Sequence, residues 1–157
     1  MHYDENDINM SDIIVTCNPS PEESANDKQV GGDHYKHEGL QHWDVVDRSG
    51  MGYFEAVATK YLIRWQSKNG VEDLQKARHY VEKCKEEFLS RDRVNTAKDP
   101  DDKDFRWSTF CVENKIPYPE NQICMLLVNW KCEKDLSTAI ELIDQLIGAV
   151  IINISKR

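Results

Sequence analysis

Several features are missing from this sequence, and each absence removes a class of function. No basic stretch followed by an apolar run stands at the N-terminus, so no signal peptide is expected. The longest apolar stretch, Leu146 to Ile152, is too short to span a bilayer, so no membrane partner is expected. Positive charge is in deficit: Lys and Arg number 20 against 28 Asp and Glu, a formal net charge of -8. Duplex DNA is gripped by a Lys/Arg footprint, so general nucleic-acid binding is not expected, although a local basic patch can still hold a small anion. The five cysteines, Cys17, Cys84, Cys111, Cys124 and Cys132, include no CxxC pair. An odd, scattered set argues against a disulfide framework or a zinc knuckle. It fits reduced, mostly buried thiols in a cytoplasm. There is no GxxxxGK[ST] loop, no Ser-His-Asp or Cys-His arrangement, and no zinc-like spacing among His34, His37 and His42, so no metal site is expected.

What is present is 157 residues, 39% hydrophobic and 31% charged, the composition of one compact globular domain or two small ones. Residues 1–28 are polar and acidic, with one apolar cluster at Ile13-Ile14-Val15. They read as a disordered tail, a short strand at Ile13 to Thr16 being the alternative. Helical spacing begins at Leu40: Leu40, Trp43 and Val46 share a face, and Gly50-Met51-Gly52 ends the helix. A second helix is predicted over 53–67, with Phe54, Ala58, Tyr61, Leu62 and Trp65 as its stripe, stopped by Asn69-Gly70. A third is predicted over 71–89, burying Val71, Leu74, Ala77, Val81, Cys84 and Phe88. A polar linker over 91–103 precedes three more helices, at 104–114, 118–131 and 135–152.

The second half echoes the first. Trp43 matches Trp107, Tyr53 matches Tyr118, Glu55 matches Glu120, and Leu62 to Trp65 match Leu127 to Trp130. After a three-residue deletion, Asp73-Leu74 and Ala77 match Asp135-Leu136 and Ala139, and Val81 and Cys84 match Ile143 and Leu146. The expected fold is therefore all-α: a tail over 1–28, a helical unit over 29–92, and a degenerate second unit over 104–157 packed against it. The alternative is two helical hairpins sharing periodicity by chance. Chemistry differs between the units, since Lys60 aligns with Met125, Arg64 with Asn129 and Lys68 with Glu133. A site, if one unit carries it, belongs to the first.

Lys60 and Arg64 lie four residues apart on one helix, with Lys68 a turn further on. Multi-donor Arg and point-charge Lys are phosphate-gripping side chains, and the returning helix brings Lys76, His79 and Tyr80 nearby. The bland reading is a solvated cationic face. Gly31 to His37, with Tyr35 available to stack on a base, form either a ligand-approaching loop or a cap on the helices.

The order His34-Tyr35, Lys60-Tyr61-x-x-Arg64, Lys68-Asn69-Gly70-x-Glu72-Asp73-Leu74-x-Lys76-Ala77-x-x-Tyr80 resembles a family of small phage proteins. One branch of that family acts as a nucleotide kinase on deoxynucleoside monophosphates. The resemblance implies phosphoryl transfer in phage nucleotide metabolism within the host cytoplasm, with nucleotides as ligands and a nucleoside triphosphate, with Mg2+, as donor. It implies that Lys60, Arg64 and Lys68 hold phosphates and that His34 orients a phosphate oxygen. Tyr35 or Tyr80 would stack the base, with Tyr61 and Lys76 lining the site. Asp73 would cap its helix or hold Mg2+, the cap being preferred. A non-catalytic nucleotide binder or host-interaction protein is the alternative, and self-association of the unit is a further expectation.

Overall fold

The structure, a computed structural model, describes residues 24–27, 30 and 39–157. The expected disorder up to residue 23, the strand at Ile13 to Thr16, Cys17, and the whole His34-Tyr35 segment with His37 lie outside the described residues. Residues 24–27 of the expected tail are among those described. Asn26 is engaged with the first helix, donating to Asp44 (3.2 Å) and accepting from the Trp43 indole (2.7 Å).

Six α-helices and no strand make up the described residues: α1 His42–Ser49, α2 Tyr53–Arg64, α3 Val71–Arg91, α4 Trp107–Glu113, α5 Glu120–Asn129 and α6 Glu133–Ser155. Local chemistry sets their ends. Gln41 and Asp44 form a reciprocal capping box at the start of α1, and left-handed Gly50 closes it. Acidic residues occupy the first turns of α2, α3, α5 and α6, where the helix dipole favours negative charge. The expected 53–67 helix is shorter by one turn, because the chain tightens into a 3-10 turn at Trp65–Ser67 to reach Gly70. At 23 residues, with an 18-residue stretch of mean hydropathy 1.5, α6 is long and apolar enough to cross a membrane by length and composition alone. Leu136, Ala139 and Ile143 on it are buried in the bundle.

The helices form two units of three, packed isologously. α1 meets α4, α2 meets α5 and α3 meets α6, so every element touches its own counterpart. The main core mirrors this: Ala58, Leu62, Leu74, Ala77 and Val81 are answered by Ile123, Leu127, Leu136, Ala139 and Ile143, all buried. Backbone details agree. Gly50 and Lys115 are both left-handed, and the bonds Met51 N–H to Val46 O and Ile116 N–H to Cys111 O are counterparts.

That register corrects the sequence match of Trp43 with Trp107. His42, not Trp43, is the counterpart of Trp107. Trp107 is fully buried, whereas Trp43 is 50% exposed and held at the surface by Asn26. Two rare residues one position apart invite alignment, but the following turn fixes the register.

Crossed hydrogen bonds join the units. Trp130 Nε1 donates to Glu55 Oε1 (2.9 Å) and Trp65 Nε1 to Glu120 Oε1 (2.8 Å), each indole reaching the carboxylate of the other unit. Both carboxylates are buried. The first is fully served: Cys84 Sγ donates to Oε1 (3.3 Å) and Arg93 Nη2 to Oε2 (2.8 Å). Next to Glu55, burial pushes the Cys84 thiol up to about 12. Arg93 begins a strap, 93–98, within the expected linker or long loop, and it packs on both units. Asn95 caps the end of α5 through the Val128 and Trp130 carbonyls, and Lys98 N–H bonds Ser49 O. Gly52 is required here, because a Cβ would stand 2.4 Å from Arg93 Nη2. In the second unit no donor among the described residues reaches Glu120 Oε2.

The two glutamates should therefore answer differently to the same change. Glu55→Gln leaves Arg93 without its counterion and should cost about 2–4 kcal/mol. Glu120→Gln keeps the acceptor for Trp65 and should cost less than about 1 kcal/mol. Urea denaturation of both variants measures this; equal losses would contradict the asymmetry.

Candidate functional site

The α2–α3 hairpin turns through Trp65 to Gly70, which sets the far end of α2 beside the first turn of α3. Arg64 emerges there, and its Nε lies 3.3 Å from Oδ2 of the fully buried Asp73. Its guanidinium carbon also stands 4.7 Å from the centroid of the Tyr61 ring. Asp73 takes the Asn69 backbone N–H (3.4 Å) and its Nδ2 (3.3 Å) as well, so it serves as turn-closing cap and counterion together. Asp73 is occupied as cap and counterion, and among the described residues no group of three His, Cys, Asp or Glu converges.

From Tyr61, beside Arg64, an aromatic row runs toward the start of α2. Tyr61 and Tyr80 stand 6.0 Å apart between centroids, and Tyr80 and Tyr53 6.1 Å. The hydrogen bond with Tyr53 raises the Tyr80 phenol above its ordinary value. Lys76 Nζ lies 5.6 Å from the Tyr61 centroid and pairs with Glu72 at 2.6 Å, a bond that raises the Lys76 ammonium above its ordinary value. His79 is an exposed neighbour on the same helix.

Of the expected trio of cations, Lys60 is exposed on α2, one turn before Arg64 on the same helix, and its charge acts on His42 of α1. Lys68 is exposed just past the 3-10 turn. The residues brought together are Tyr61, Arg64, Asp73, Lys76 and Tyr80. His34 and Tyr35 lie outside the described residues.

Sequence reasoning missed two neighbours. Tyr53 extends the aromatic row and was legible only as a helix-opening residue. His42 entered only as a metal candidate. Its Nε2 lies 2.8 Å from Thr59 Oγ1, and Thr59 donates onward to Ala56 O (3.0 Å), so the imidazole is the donor to the hydroxyl. Burial, then Lys60, pushes His42 down to about 4, leaving it neutral near pH 7.

The equivalent face of the second unit keeps Tyr118 and Asp135 at the places of Tyr53 and Asp73 but none of the cations. Met125, Leu126, Asn129, Thr138 and Leu142 replace Lys60, Tyr61, Arg64, Lys76 and Tyr80.

Residues 29–82 match a family model described as a protein of unknown function, DUF3310. The match spans about a third of the chain, lies inside the first unit, and takes in every cation and tyrosine of the cluster. No curated protein and no solved structure matches the chain.

Two measurements follow from this geometry. Arg64→Ala strips a buried carboxylate of its cation and should lower stability by on the order of 2–3 kcal/mol, whereas Lys60→Ala should be near neutral; thermal melts compare them. For His42 the folded pKa, about 4, lies below the unfolded 6.5, so its contribution is intact above about pH 6.5 and is lost as pH falls toward 4. His42→Gln should flatten that part of the stability profile between about pH 7 and about pH 4.5. An unchanged slope would show that His42 is not the group responsible.

Proposed function

We propose that the first unit is a nucleotide site serving phosphoryl transfer to deoxynucleoside monophosphates, in the manner of the phage family its motif resembles. One observation carries the reading. Of two structurally equivalent faces, one gathers Arg64, Lys76 and three tyrosines, and the other replaces Lys60, Tyr61, Arg64, Lys76 and Tyr80 with uncharged residues. Aromatic rings offer a base a stacking surface. Arg and Lys complement phosphate oxygens. Phosphoryl transfer asks a protein mainly for positioning and charge neutralisation, so a cationic clamp serves without a P-loop. In this reading Asp73 fixes the plane of the Arg64 guanidinium, and Lys60 and Lys68 meet phosphate groups from solvent-exposed positions. Tyr61 or Tyr80 receives the base, while His34 and Tyr35 complete the site from the preceding segment.

A second reading has its own support. The charge of Arg64 is already balanced by buried Asp73, which suits a non-catalytic nucleotide binder or a host-interaction protein made during infection.

Chromatography of labelled deoxynucleoside monophosphates incubated with the protein and a nucleoside triphosphate separates the two. The enzyme reading expects labelled diphosphate, reduced at least tenfold in Lys60→Ala. A thermal shift with nucleotide but no turnover selects the binder. Neither turnover nor shift overturns the nucleotide site.

A further inference from the structure

The second unit contains the counterpart of the Arg64 position, and it is a concavity rather than an ion pair. Gln122, Met125, Leu126, Asn129, Trp130 and Asp135 line a cleft of about 270 Å3 between α5 and the start of α6. Cavities for drug-sized ligands run to roughly 300–1,000 Å3, so this one suits a single side chain.

The first unit shows what such a place accepts. There Arg64 spans from α2 to Asp73, with its guanidinium beside the Tyr61 ring. In the second unit the carboxylate is retained as Asp135, but the arginine is Asn129, which curls back to its own helix through Nδ2 to Met125 O (3.0 Å). Asp135 uses only Oδ2 for its capping bonds, from Lys131 N–H (2.8 Å) and Cys132 N–H (3.3 Å); Oδ1 accepts none among the described residues. Those backbone bonds hold the Asp135 carboxyl below its ordinary value, so it is charged near neutral pH. Half-buried Met125 and Leu126 provide an apolar wall for a methylene stem. A net charge of -8 favours approach by a basic partner.

We propose that this α5–α6 cleft is a docking site for an arginine side chain presented by a protein partner. The guanidinium meets Asp135 at Oδ1, the oxygen its cap leaves open, whereas Arg64 meets the cap-accepting Oδ2 of Asp73, and the stem lies along Met125 and Leu126. The site is independent of the nucleotide reading, since it lies on the other unit and uses none of its residues.

The test is titration of the 15N-labelled full chain with N-acetyl-arginine methylamide, followed by amide shifts. Saturable shifts centred on Leu126, the Asn129 side chain, Lys131 and Cys132 are expected at millimolar ligand. The matching lysine derivative should bind at least tenfold more weakly, for want of a planar fork. Asn129→Arg should abolish binding, because its own guanidinium takes the place, and should raise the melting temperature. Asp135→Asn should weaken binding at least tenfold; should its lost cap unfold α6, the Asn129→Arg result still decides. Absence of saturation at tens of millimolar, equal binding of the lysine derivative, or undiminished binding by Asn129→Arg overturns the site. Free arginine binding tenfold tighter than the capped residue would overturn the protein partner in favour of a small-molecule ligand.

Discussion

The crossed hydrogen bonds between Trp65 and Glu120 and between Trp130 and Glu55 are the constraint on which the rest of the structure depends. Each lies at the contact of α2 with α5 and draws a buried carboxylate of one unit onto an indole of the other. A buried carboxylate is expensive unless its oxygens are met, so neither unit can present its Glu-bearing face to anything but its counterpart without loss. The reciprocity also orients the units, since only an isologous arrangement satisfies both bonds at once. The apolar core then follows, because Leu62 and Leu127, Leu74 and Leu136, and Val81 and Ile143 occupy matched places in it.

Within that frame the units depart from symmetry where the chain runs from one to the other. The strap after α3 supplies Arg93 to Glu55 and Asn95 to the end of α5, while one oxygen of Glu120 has no donor among the described residues. The connection is thus part of the core of the first unit and not a spacer. It also explains why a glycine stands at position 52, where any side chain would collide with the Arg93 guanidinium.

The outer faces diverge further. On the first unit a buried aspartate holds an arginine at the rim of an aromatic row. On the second the same aspartate position caps its helix and looks into an open cleft. Packing is shared by both units, whereas charge is not. A protein so built can bind different chemistry on two equivalent faces without altering its core.

Much of this was legible from residue order. The 3.6-residue spacing of Ala58, Leu62, Leu74, Ala77 and Val81, with Asn69-Gly70 between, located α2, α3 and their buried sides, because helical periodicity and turn chemistry are local properties. The repeat was legible for the same reason, since its two halves share the Glu, the Leu-x-x-Trp and the Asp-Leu at matching intervals. Its register was legible over the second and third helices of each unit, but not over the first: equating Trp43 with Trp107 ignored the left-handed turn shared by Gly50 and Lys115. Nor did the sequence reveal that Glu55 and Glu120 are buried, as acidic residues in a first turn are usually solvated. Their burial comes from the other unit. Lys60, Arg64 and Lys68 were visible as a basic stripe, but spacing cannot say what stands opposite a side chain. The sequence by itself determined six helices, two units and the unit that holds the cations. Tertiary structure alone decided that Arg64 faces Asp73, that a 3-10 turn precedes Lys68, and that half-buried His42 meets Thr59. Those outcomes depend on how a short turn rotates and what a neighbouring helix brings, and neither is written in local periodicity.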